Sequence, residues 1–65
     1  MRIENRLRDV RKKKRISQDE LARMSGVSRT TISNIEKGVE EQVKTDTLFK
    51  LSAALGKKVR NIFFL

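Results

Sequence analysis

The stretch from Ser17 to Gly38, SQDELARMSGVSRTTISNIEKG, constrains this chain more than any other part of it. Ser17-Gln18-Asp19-Glu20 has the form of a capping box. The Ser17 hydroxyl accepts from the amide three residues on, and Glu20 reaches back to the amide of Ser17. The two acids also suit the positive end of a helix. Leu21, Ala22 and Met24 then supply a buried side, and Gly26 supplies a left-handed stop. Ser28 caps a second helix, from Arg29 to about Lys37, which Gly38 ends with Lys37 beside its negative pole. Val27, Ile32 and Ile35 face inward. The spacing predicts two short helices joined by a tight turn at Ser25-Gly26-Val27-Ser28, with Ala22 small where they approach each other.

The outer face of the second helix carries Arg29, Thr30, Ser33 and Asn34. Stability alone would favour Glu, Lys and Ala at such positions. Short hydrogen-bonding side chains are what base edges require. Arg29 puts a cation at the positive end of its helix, which is mildly unfavourable and which bidentate pairing to guanine would explain. The methyl of Thr30 suits thymine, and Asn34 suits adenine. The plainer reading of each is a solvated helix surface.

Charge bears on which reading holds. The 65 residues include 16 Lys and Arg against 8 Asp and Glu, a net charge of +8 with a pI near 10.7. Residues 1–15 hold eight of the basic side chains and two of the acidic ones, so +6 of the +8 lies there. A basic field of this density favours polyanions, nucleic acid before anionic membrane. The run Arg11-Lys12-Lys13-Lys14-Arg15 lacks the wide apolar face with aromatics that interfacial helices use. No run reaches the roughly 18 apolar residues of a spanning helix, so the expected place is the cytoplasm, with no membrane partner.

Flanking elements complete a small core. Ile3, Leu7 and Val10 form a narrow stripe that predicts a first helix over Arg2 to Lys14. After a polar connection from Val39 to Lys44, Thr45 is expected to cap a fourth helix with Leu48, Leu51, Ala54 and Leu55 inward and Gly56 at its end. Val59, Ile62 and Phe63 read as a short fifth helix, with a terminal strand as the alternative for the β-tolerant Asn-Ile-Phe-Phe-Leu. The whole is a single all-α domain over residues 1–65. A chain this short buries only about 60% of its unfolded surface, so helix packing or a partner subunit must support it. Phe63, Phe64 and Leu65 exceed what so small a core can hold, and an exposed apolar end marks an interface. With the Leu48 to Leu55 helix nearby, they are expected to pair two copies; a frayed end is the alternative.

With no Cys, His or Trp, the chain has no disulfide, no zinc site of Cys/His type and no histidine base. Outside the capping box, Glu40-Glu41 is the dense acidic site, in a connection without a metal-ligand pattern. No enzyme, metal or cofactor is expected. RNA is disfavoured by the absence of Tyr and Trp for stacking.

These residues resemble a known family. Arg11, Ile16-Ser17-Gln18, Glu20-Leu21-Ala22, Gly26-Val27-Ser28, Thr31-Ile32, Ile35-Glu36, Gly38, Thr47-Leu48 and Ala54-Leu55-Gly56 resemble the helix-turn-helix domain of the phage Cro and repressor family, the xenobiotic-response-element family. The resemblance covers essentially the whole chain. It implies a compact five-helix lambda-repressor-like fold whose second and third helices form the reading unit, the third lying in the major groove. It further implies that Arg29, Thr30 and Asn34, with Ser33 beside them, face bases. Gln18, with Ser17 and Lys37, would meet the DNA backbone, and Arg11 and Glu36 would form a partly buried ion pair. The connection after Gly38 departs from the family pattern in lacking proline, in being one residue longer, and in carrying Glu40 and Glu41 where relatives are often basic.

The expected function is that of a transcriptional regulator of double-stranded DNA, a homodimeric repressor of phage or mobile-element type on a palindromic operator. The alternative is an antitoxin-type module that neutralises a toxin and autoregulates its operon. A protein partner, toxin or antirepressor, would then control it. A terminal strand in place of the fifth helix would favour that alternative.

Overall fold

The computed structural model describes residues 4–40 and 43–64. In chain order it contains β1 (Glu4–Asn5), α1 (Leu7–Lys13), α2 (Gln18–Ser25), α3 (Arg29–Lys37), α4 (Thr45–Leu55), α5 (Val59–Ile62) and β2 (Phe63–Phe64). The fold is therefore five helices, as expected, with one addition. β1 and β2 pair antiparallel over two residues, Glu4 opposite Phe64 and Asn5 opposite Phe63, and the Arg6 amide continues the ladder by donating to the Ile62 carbonyl at 2.8 Å.

That ladder corrects the first helix, which starts at Leu7 and not at Arg2. Asn5 is the cause visible in the structure. Its Oδ1 accepts from the Leu7 amide at 3.0 Å, satisfying a free donor of the first turn, and its Nδ2 donates to the Ile35 carbonyl at 3.1 Å. One side chain thus starts α1 and fastens β1 to the end of α3. Ile3, part of the expected stripe, lies outside the described residues. The C-terminal segment realises both expected forms: one helical turn, then a strand paired with the chain's own N-terminal segment.

The core joins Leu7 and Val10 of α1, Leu21 of α2, Val27 of the turn, Ile32 and Ile35 of α3, Leu51 and Leu55 of α4, and Ile62 and Phe63. Leu48 and Ala54 pack at its margin. Two expectations fail here. Met24 is 54% exposed, because α2 turns Leu21 and Ser25 inward and Met24 falls on the flank between them and solvent. Thr45 does not cap α4; Lys44 occupies that position with extended backbone, and its side chain, which has no acceptor, makes no cap bond.

The reading unit follows its sequence signals closely. Ser17 accepts from the Glu20 amide at 3.0 Å, and the Glu20 carboxylate accepts from the Ser17 amide at 3.2 Å. Ser28 accepts from the Thr31 amide at 3.1 Å and its hydroxyl donates to the Thr31 hydroxyl at 2.9 Å. Between the caps, Gly26 has φ +77° with open space where a Cβ would stand. Its backbone angle, and not crowding, calls for glycine. Ser25 tightens the same turn by donating to the Leu21 carbonyl at 2.7 Å and accepting from the Val27 amide at 3.1 Å.

Candidate nucleic-acid interface

Burial of Ile32 and Ile35 fixes the rotation of α3 about its axis. Arg29, Ser33 and Lys37 then follow one another at four-residue steps along the outside, with Thr30 and Asn34 in the adjacent row. Arg29, Thr30 and Lys37 are exposed; Ser33 and Asn34 are half-buried. All five predicted α3 positions therefore lie on one continuous side of a helix that begins beside the N-terminus of α2.

Behind this face lies a connected polar network. Arg11 donates from Nε to Glu36 Oε2 at 2.8 Å and from Nη2 to Glu36 Oε1 at 3.1 Å, a bidentate pair joining α1 to α3. Its Nη1 donates to the Ile16 carbonyl at 2.8 Å. The two side chains are 11% and 5% exposed. Hydrogen bonding to Glu36 raises the Arg11 pKa above the ordinary arginine value, against the opposing effect of burial. Gln18 enters the same network, donating from Nε2 to Glu36 Oε1 at 3.1 Å.

Gln18 then hands the chain of contacts to the reading face. Its Oε1 lies 3.5 Å from Arg29 Nε, a contact at the outer limit of hydrogen bonding. Asp19 Oδ1 lies 3.4 Å from Arg29 Nη1. The half-buried Gln18, expected on the DNA backbone, is thus also an internal strut between Glu36 and Arg29. Ser17 spends its hydroxyl oxygen as acceptor in the cap.

The basic charge of the first fifteen residues divides between the two flanks of α1. Arg8 and Lys12, one turn apart, border a shallow cleft of about 280 Å³ together with Arg11, Gln18, Ser33, Glu36 and Lys37. Lys13 and Lys14 lie on the other flank with Arg6, Asp9, Val10, Lys57 and Asn61, around a cavity of about 350 Å³. Only the first group adjoins the reading helix. Sequence reasoning gave the net charge of the segment and could not divide it, since the division depends on which side of α1 meets α3.

The C-terminal residues are placed differently from one another. Phe63, expected at an interface between copies, is 6% exposed and packs in the monomer core. Phe64 is half-buried, with its ring centroid 4.9 Å from the Arg6 guanidinium carbon. Leu65 lies outside the described residues. The large exposed aromatic is instead Phe49 of α4, 60% exposed, beside an open cleft that it shares with Ala53 and Val59. Phe49 stands one residue from Leu48, which the apolar spacing places inward and which packs at the margin of the core.

Among the described residues no group of three or more acidic side chains could hold a metal ion. No helix there is long and apolar enough to cross a membrane.

A helix-turn-helix family profile matches residues 7–61. Among solved structures, the chain is similar to the restriction-modification controller protein C.AhdI from Aeromonas hydrophila. The two are 34% identical with a TM-score of 0.80, over 85% of this chain and 82% of that one. No curated protein sequence matches.

Proposed function

The chain belongs to the helix-turn-helix family and is a DNA-binding transcriptional regulator, and we propose that it acts as a homodimeric repressor reading a palindromic operator through the major groove. The carrying observation is the outer side of α3. Arg29, Thr30, Ser33 and Asn34 share one side of a helix whose rotation is locked by Ile32 and Ile35. These are side chains that match base edges, on an element of the width the major groove admits. Arg8, Lys12 and Lys37 stand beside them for phosphate, with the Ser17 and Gln18 end of α2 adding amides that favour an anion. Affinity then comes mainly from Lys and Arg and falls steeply with salt.

A second copy supplies a second reading helix, about 34–36 Å from the first on one side of the duplex. The exposed Phe49, with Ala53 and Val59 beside it, is the apolar surface that favours pairing. Occupying a promoter is enough to block polymerase, and the repressor reading takes this as its mechanism. Selection of bound sequences from a random duplex pool tests the reading. Two inverted half-sites about one helical turn apart support it, and enrichment of a single half-site or of no sequence refutes it.

The likeness to a restriction-modification controller protein favours one further reading, that the regulated genes belong to a restriction-modification system. An operator selected in vitro that lies upstream of a methyltransferase or endonuclease gene supports this; operators only before unrelated genes refute it.

A further inference from the structure

We propose that Asp19 sets the discrimination of the reading face, by holding Arg29 toward base edges and keeping it from phosphate. The inference rests on the reading of α3 as the base-contacting helix and gives a further role to a residue that the first turn of α2 uses only as a charge at the positive end of the helix. In the capping box, Ser17 and Glu20 bond each other and Asp19 takes no part. Its carboxylate points across the turn to α3, with Oδ1 3.4 Å from Arg29 Nη1.

Arg29 is therefore held at two points. Gln18 Oε1 faces Nε at 3.5 Å, and Gln18 is itself anchored through Glu36. Asp19 faces Nη1. Among the described residues Nη2 has no partner, so a donor remains for a base edge while both restraints persist. Moving to phosphate asks more of the guanidinium. It must leave Asp19, and the phosphate must then approach a carboxylate at the start of α2, where free amides would otherwise attract it. Base docking keeps the pair and backbone docking breaks it, so Asp19 penalises sequence-independent binding more than specific binding. Arg29 and Asp19 are 62% and 69% exposed. Screening by solvent limits the effect to a modest factor.

The test compares the wild type with Asp19→Asn and Asp19→Glu, on a duplex selected from a random pool by the wild type and on a scrambled duplex of equal length. Dissociation constants are measured over a salt series. Asp19→Asn is expected to bind the scrambled duplex about two- to fivefold more tightly, the range of an exposed ion pair. Its salt slope on that duplex should steepen by close to 0.9, one phosphate contact. Affinity for the selected duplex should change less, so the ratio falls, and Asp19→Glu should retain most of it. Melting temperatures separate this from a purely structural role, which would shift stability and leave the ratio unchanged. An unchanged ratio in Asp19→Asn, while the wild type still discriminates, overturns this inference alone. A wild type that selects no sequence overturns the base-reading function and this inference together.

Discussion

Replacing Arg11 by alanine would strike the best-formed polar contact in the molecule. Arg11 makes two bonds to Glu36 and one to the Ile16 carbonyl, and the Glu36 side chain is 5% exposed. Alanine removes all three and leaves a carboxylate in a nearly closed site where, among the described residues, the Gln18 amide alone remains to bond it. Orphaning one member of a buried ion pair costs about 3–5 kcal/mol. Small domains have about 0.05–0.15 kcal/mol per residue of net stability, so a chain of 65 residues would lose from about a third of it to all of it. In thermal unfolding, where each kcal/mol shifts the midpoint by about 4–8 °C in domains near this size, Arg11→Ala is expected to melt at least about 12 °C lower or to be unfolded at room temperature.

A second variant isolates the cause. Replacing both members, Arg11→Met with Glu36→Leu, removes the orphaned charge and should recover most of the loss, because buried pairs exchange for apolar groups at little net cost. The pKa direction adds a sign. The folded Arg11 is raised above its unfolded value by Glu36. Its contribution is therefore fully present below the ordinary arginine range and lost only as pH rises through and beyond it. Stability that fell between pH 7 and about pH 10 because of Arg11 would contradict this. An Arg11→Ala loss under about 1 kcal/mol, typical of exposed pairs, would refute the view that the pair is buried and structural.

Two further predictions concern α4. Lys44 stands at its N-cap with extended backbone and a cation at the helix's positive end, so Lys44→Asp should raise stability by about 1 kcal/mol, read as a higher melting midpoint; an unchanged or lowered midpoint would contradict the cap assignment. Phe49 is 60% exposed, so Phe49→Asp should leave folding nearly unchanged while converting a dimer to a monomer in sedimentation equilibrium and weakening binding to a two-half-site duplex. A variant that stays dimeric would place the interface elsewhere.

Much of the fold was legible because its signals are local. Caps, left-handed glycines and apolar spacing each act within a turn or two, and the boundaries of α2 and α3 follow from them. The start of α1 was not legible, because Glu4 and Asn5 pair with residues at the far end of the chain and Asn5 is further fixed by Ile35, thirty residues away. The β1–β2 ladder was hidden for the same reason: its partners stand at opposite ends of the chain. Met24 was misassigned since a helix of eight residues has a flank that apolar spacing alone cannot assign to core or solvent. For the site, the outer side of α3 could be derived from the inward isoleucines. The Asp19–Arg29 contact could not, because it depends on how the turn sets α2 against α3. The burial of Phe63 beside an exposed Phe49 was not legible either, because residue type does not report which apolar groups a small core has room for.

The central claim is that α3 reads base sequence through its outer side, and the most direct measurement follows Arg29→Ala over every single-base variant of the selected duplex. The wild type should lose affinity at several positions. In the variant one position should become tolerant, with about 1–3 kcal/mol of discrimination lost there, and the melting midpoint should hold because Arg29 is exposed. A loss spread evenly over all variants would make Arg29 a phosphate contact and contradict the claim, as would a protein that no longer folds.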